Sequence, residues 1–224
     1  MANVEEKKSV STKLSQFIIS KSKIILIVCA VIVVVVVVTG IATAVNNNAQ
    51  QKWMTAIETA ETDYTDWKAL TVEDSDRDLE AEELEIELLA IVDGAKNSYP
   101  QMKATFLLGS LSFELKDYTE AASYFDSVQK DYADTYLAPV ALMNNAVALE
   151  MLNKNDEALD RYQRLVDTYA AVSPEASHAM FSIGRIYEGQ GNLDLSKAVY
   201  EQLIAEYETS EWAKLAQVRL ITID

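Results

Sequence analysis

The chain has 224 residues, room for one membrane span and one soluble domain of ordinary size. Half of them are hydrophobic, the net charge is −16, and there are only 6 Gly, 3 Pro and 1 Cys. That composition excludes collagen-like or low-complexity architecture, long loops and a disulfide framework. Charge is divided unevenly. Before Ile24 five lysines stand against Glu5 and Glu6, a net of +3, which leaves 14 of the 19 basic and 33 of the 35 acidic side chains, −19, for the remainder. So acidic a remainder repels phosphate backbones, and nucleic acid is not expected as a partner.

Residues 24–45 are 22 positions without a charge, against the roughly 20 needed to cross a bilayer as a helix. Six consecutive valines, 33–38, would favour a strand in water. In lipid the backbone must satisfy itself, which demands a helix, and a strand of that length would be far outside the usual size. Ala42-Thr43-Ala44 resembles a signal-peptidase site, but the apolar region exceeds the about 7–15 residues of a secretory signal, and the basic stretch before it is long. Leu26-Ile27-Val28-Cys29 resembles a lipoprotein box, with Val28 where a small residue belongs; Cys29 reads instead as a small apolar residue of the span. The lysine-rich flank belongs in the cytoplasm. The sequence therefore predicts a basic cytoplasmic segment (1–23), a single-pass transmembrane helix (24–45) in the cytoplasmic (inner) membrane, and an acidic extracytoplasmic, periplasmic domain.

Residues 46–100 open with the polar run Asn46–Gln51 and then read as a helix pair, broken at Thr71-Val72-Glu73-Asp74-Ser75-Asp76. Three readings stand for this region: a degenerate first unit, a separate docking hairpin, or an amphipathic segment, Trp53–Leu70, lying in a groove of the domain that follows.

From residue 101 the chain repeats itself at steps of 37 and 38. Gly109, Ala146 and Gly184 form one column; Ala121, Ala158 and Ser196 a second; Phe125, Tyr162 and Tyr200 a third; Tyr132, Tyr169 and Tyr207 a fourth. Each unit (about 101–135, 136–172 and 173–210) reads as two helices joined by a short polar turn. The small residue of the first helix marks a close helix approach. In the second helix a small residue and an aromatic four later share one face. Residues 211–224 carry the helical stripe Trp212, Leu215, Val218, Leu220 and read as a capping helix.

These columns resemble the tetratricopeptide repeats, whose Leu-Gly followed by Ala and an aromatic stands here as Leu108-Gly109, Ala121, Phe125, and again as Ile183-Gly184, Ser196, Tyr200. The middle unit departs at Asn145-Ala146, and the repeat exceeds the family's usual length of about 34. The resemblance implies an all-α fold, a solenoid of stacked helical hairpins, with repeat-packing positions Gly109, Ala121, Phe125, Ala146, Ala158, Tyr162, Gly184 and Tyr200. The plan of basic segment, span and acidic repeat domain is similar to that of the ancillary subunit of the bacterial secretion translocon. That likeness implies the translocon, newly exported chains or periplasmic chaperones as protein partners.

Chemistry is hard to find in the sequence. His178 is the only histidine and lacks companions for a metal or a triad. Glu80, Glu82, Glu83, Glu85 and Glu87 are spread around a helix, without EF-hand spacing. No phosphate loop or nucleophile elbow occurs. No enzyme, cofactor or metal is expected. By the resemblance, partners bind along the first helices of the units, at Phe106, Ser110 and Phe113, then Met143, Val147 and Met151, then His178, Phe181 and Arg185. The lysines and asparagines that hold a peptide carboxylate in some family members are missing, so an apolar or helical segment is the expected ligand. The expected function is a membrane-tethered adaptor or chaperone-like protein. The alternative is a scaffold for envelope assembly or cell division, acting through protein contacts or as a homo-oligomer.

Overall fold

The computed structural model describes residues 19–71 and 76–223. Lys7, Lys8 and Lys13 of the basic segment, and residues 72–75 of the predicted break, lie outside the described residues. Two units are distinguished, residues 1–52 and 53–224.

In the first unit the described backbone from Ser22 onward is helical and belongs to α1 (Ser22–Ala69). Ser22–Ile41 has a mean hydropathy of 3.5 and none of it is buried; by length and composition it is able to cross a membrane. Thr39 in this stretch and Thr43 just beyond it donate their hydroxyls back along the helix, Thr39 to the Val35 carbonyl (2.9 Å) and Thr43 to that of Thr39 (2.7 Å). The sequence suggested a boundary at Val45, yet the helix continues to Ala69. Between Ile41 and Ala69 there is no Gly or Pro to stop it, and asparagines alone do not end a helix that already has a template.

The second unit is all-helical among its described residues. Residues 53–69 of α1 are followed by α2 (Arg77–Gly94), α3 (Tyr99–Glu114), α4 (Tyr118–Asp131), α5 (Leu137–Met151), α6 (Asn155–Tyr169), α7 (Glu175–Gly189), α8 (Leu193–Glu206) and α9 (Glu211–Ile223). Consecutive helices pack as hairpins, and the odd-numbered ones also touch each other from α3 to α9, the arrangement of an α-solenoid. Local sequence sets the joints. Ser98 caps α3 with Pro100 in its first turn, and Asp117 caps α4 by accepting the Glu120 N–H at 3.0 Å. Each within-unit turn needs one residue in the left-handed region, at Lys116 (φ 67°), Asn153 (φ 59°) and Gly191 (φ 77°), again one column at steps of 37 and 38. Only the glycine adopts that conformation without cost.

The core follows the columns. Phe125, Tyr162 and Tyr200 are all at most 1 % exposed, each burial stabilising the fold by about 1.5–3 kcal/mol. A Cβ on Gly109 would come within 2.9 Å of the Phe125 ring, and one on Gly184 would run into Tyr200. Ala121 and Ala158 are fully buried beside their aromatics. Ser196, in the same column, is also fully buried and donates its hydroxyl to the Gly184 carbonyl at 2.9 Å, so the extra oxygen is satisfied.

The first hairpin inverts this device. Here the second helix supplies the small residue, Gly94, and the first supplies the aromatic, Trp53. Ile57, Ala60 and Trp67 share one core with Leu84, Leu88 and Ile91 of α2 and Leu108 and Leu111 of α3. Residues 53–69 are thus half of a hairpin integrated with the units that follow.

Candidate functional site

Two hollows open along the odd-numbered helices. The first, about 250 Å3, is lined by Ser110, Phe113 and Glu114 of α3, Phe125 of α4, Asn144 and Val147 of α5, and Tyr64 and Lys68 of α1. The second, about 380 Å3, is walled by Val147, Glu150 and Met151 of α5, Tyr162 of α6, His178, Phe181, Ser182 and Arg185 of α7, and Trp212 of α9. Val147 belongs to both, so the hollows are neighbours along one face.

Of the residues singled out from the sequence, Ser110, Phe113 and Val147 meet in the first hollow, and Val147, Met151, His178, Phe181 and Arg185 in the second. Two do not join them. Phe106 is half-buried and turns its ring edge-on to Phe125 at 5.5 Å. Met143 is 3 % exposed and lies in the core with Leu142, Ala146 and Tyr162, so it offers nothing to a ligand. It shares a helix face with Val147, one turn away, but neighbouring helices cover that end of α5.

Three further features complete this face. Tyr64 and Lys68 come from α1, where Lys68 pairs with Glu114 at 2.6 Å across the first hollow. Trp212, read as part of a cap, stacks face to face on His178 with ring centres 3.7 Å apart and also packs on Phe181. The third is a repeated clamp. Glu150 accepts the Tyr162 hydroxyl at 2.6 Å and Arg185 Nη2 at 2.6–2.7 Å. One unit later Glu188 accepts the Tyr200 hydroxyl at 3.3 Å and a two-pronged contact from Arg219. The step of 38 in Glu150/Glu188 and Tyr162/Tyr200 was a visible signal; the step of 34 between the arginines was not in register. In the first unit the matching positions are Phe113, Phe125 and Val147, so an apolar notch stands where the later units carry a polar clamp.

Electrostatics agree with a dry surface. Burial, and then Arg185, lower the pKa of His178 below the usual imidazole value, against the opposing pull of Glu150 and Glu211. Burial and the hydrogen bond to Glu150 push the Tyr162 hydroxyl up. Both groups stay uncharged near neutral pH. Among the described residues no three His, Cys, Asp or Glu side chains gather as a metal site would require.

Two family profiles described as tetratricopeptide repeat match, one over residues 143–211 and one over 103–135. These segments are tetratricopeptide repeats. A "TPR repeat-containing protein" of Treponema pallidum (strain Nichols) is 26 % identical over 131 residues, 58 % of this chain and 52 % of the relative. The chain thus spans about half the length of that curated relative. In fold, the repeats resemble nearly identical TPR-like repeats from a Podosopora anserina protein assigned as a kinesin light chain. That likeness has a TM-score of 0.55 at 15 % identity, over 77 % of this chain and 85 % of the other. BtubC (BKLC) from P. vanneervenii is similar at a TM-score of 0.55 and 14 % identity, covering 76 % and 82 %. Tetratricopeptide repeats are modules for protein–protein contact, and the solenoid here has the surface for one.

Proposed function

We propose that this protein is a non-enzymatic adaptor, tethered by the Ser22–Ile41 helix to the cytoplasmic membrane with its repeat domain on the outer side, and that it receives an apolar, helical segment of a protein partner. The observation that carries the reading is the second hollow, with Val147, Met151, Phe181 and Trp212 as its apolar wall and the Glu150–Arg185 pair at its rim. Met151 is half exposed, and an adaptable methionine beside aromatics suits ligands of varied shape. The acidic balance of the domain favours partners with basic flanks. Residence near the secretion translocon, with exported chains or chaperones as clients, is the membrane context that the layout of the chain favours. Tethering confines such encounters to two dimensions and raises the effective concentration of membrane partners.

The test is crosslinking of the full chain in its own membrane from a photoreactive residue at Arg185, half exposed at the rim of the second hollow. Capture of one protein partner that is lost in Val147→Glu/Met151→Glu, with helicity unchanged, supports the reading; undiminished capture by the double variant overturns it. Protease added from outside should digest the acidic domain, and protection from it would reject the orientation. A scaffold role is favoured by a different observation, the apolar face that α2 leaves uncovered.

A further inference from the structure

The chain has 11 tyrosines, and all but two are buried or half-buried. The two exceptions, Tyr99 and Tyr136, are 41 % and 61 % exposed. They stand one repeat step of 37 residues apart, Tyr99 as the first residue of α3 and Tyr136 just before α5, and their hydroxyls meet at 3.5 Å. The two phenols most open to a reagent are therefore already in contact with each other.

The backbone beneath both rings is held in place. Tyr99 precedes the buried Pro100, and Tyr136 precedes Leu137, which is also buried. One side chain, Gln101, ties three helices together at this point. Its Nε2 donates to the Val92 carbonyl of α2 at 2.9 Å, and its Oε1 accepts the hydroxyl of Tyr132, at the end of α4, at 2.7 Å. Thr135 then donates both its N–H (3.0 Å) and its hydroxyl (2.7 Å) to the Tyr132 carbonyl, which fixes the link to Tyr136 in a turn. The hydrogen bond to Tyr136, and then burial, push the Tyr99 hydroxyl up to about 12. Tyr99 thus keeps its proton near neutral pH, and an oxidant must take electron and proton together.

We infer that Tyr99 and Tyr136 are a site of oxidative coupling, joined as dityrosine by hydrogen peroxide acting through a haem peroxidase. Each phenol gives up one electron and its hydroxyl proton, and the peroxide, receiving two of each, becomes two waters. The two phenoxyl radicals form one carbon–carbon bond between the ring positions beside their oxygens. The hydrogen on each joined carbon then moves to the oxygen, so both phenols are restored and the protein has lost two hydrogens. Contact between the hydroxyls sets those ring positions near one another, which favours this bond over coupling to a second molecule. Residues 53–224 contain no cysteine, so a disulfide cannot staple the repeats. The tyrosine bond does so instead, tying the start of α3 to the start of α5 and restricting the unfolded chain as any loop closure does.

The test treats the full chain in detergent micelles with a haem peroxidase and limiting peroxide, at a dose shown to couple N-acetyltyrosine. The expected product runs as a monomer on a denaturing gel, is lighter by two hydrogens, and shows dityrosine fluorescence at a yield independent of protein concentration. Trypsin should release residues 97–103 joined to residues 131–154. Tyr132 shares the second peptide, so single variants decide which ring has joined: Tyr99→Phe and Tyr136→Phe should each lower the yield several-fold, and Tyr118→Phe should leave it unchanged. The linked protein should also unfold at a higher urea concentration than the unlinked one. No dityrosine at the calibrated dose, products that are mainly intermolecular, or a yield that survives Tyr99→Phe or Tyr136→Phe would each overturn the inference. Circular dichroism of the variants confirms that these exposed substitutions leave the helices intact.

Discussion

Gly184→Ala puts the packing argument to its sharpest test. On helix propensity alone the change should stabilise, by up to about 1 kcal/mol. The structure says otherwise, because the new methyl would lie 2.7 Å from Tyr200 Cδ1 and 2.9 Å from Cζ, and closer still to Cε1. Tyr200 is fully buried and its hydroxyl is held by Glu188, so the ring cannot swing aside without breaking the clamp. Overpacking of this sort costs about 1–3 kcal/mol. With the full propensity gain subtracted, the net loss is up to about 2 kcal/mol, or up to roughly 4–8 °C in melting temperature for a domain of this size. Gly109→Ala, whose nearest approach to Phe125 is 2.9 Å, should lose less. Gly189→Ala meets nothing within 4 Å and should be neutral or gain up to about 1 kcal/mol. In the middle unit Ala146 already supplies the methyl, so Ala146→Gly should also destabilise, by about 1–2 kcal/mol, through a void beneath Tyr162 and a looser backbone. Urea melts of the four variants, monitored by helicity, give the ranking. A Gly184→Ala protein as stable as Gly189→Ala would refute the claim that this column sets the helix approach.

The clamps and the histidine give two more expectations. Arg185→Met leaves the Glu150 carboxylate, only 15 % exposed, with the Tyr162 hydroxyl as its remaining partner; stability should fall by about 1–2 kcal/mol, moderated because Arg185 is half exposed. A double-mutant cycle with Tyr162→Phe should show coupling above about 0.5 kcal/mol, and strict additivity would dissolve the triad. For His178 the sign follows from its lowered pKa, caused first by burial and then by Arg185. The unfolded chain takes up the proton near the ordinary value of about 6.5 and the folded chain only at lower pH. The stability that the neutral ring contributes is therefore complete above that value and is lost as pH drops through the folded pKa. Glu175, Glu150 and Glu211 also face the ring. The difference in urea midpoint between wild type and His178→Asn should shrink from pH 7.5 to 5, and a difference that grows on acidification would contradict the burial.

What the sequence made legible was whatever local chemistry enforces within one hairpin. Gly109 and Gly184 opposite Phe125 and Tyr200 are such signals, since a glycine inside a helix is tolerated only where a neighbour needs the space. So were the short polar turns that join the paired helices. Relations between hairpins were harder to read. Trp212 joins His178 across 34 residues, and Arg219 reaches Glu188 across 31, at separations where side-chain direction depends on how two units are inclined. Met143 was misplaced for the same reason: its own helix puts it on the face of Val147, and only the neighbouring helices decide that one is core and the other wall. The continuity of α1 past Val45 was obscured by reading polar asparagines as a boundary.

The chain has three tryptophans, two of them, Trp53 and Trp67, in the opening hairpin and the third, Trp212, on the last helix. Every segment in between is optically silent at their excitation. Because such arrays come apart by losing neighbours from their edges, single-indole versions would time the fraying of each extremity separately, without any added dye, and would reveal which one lets go first.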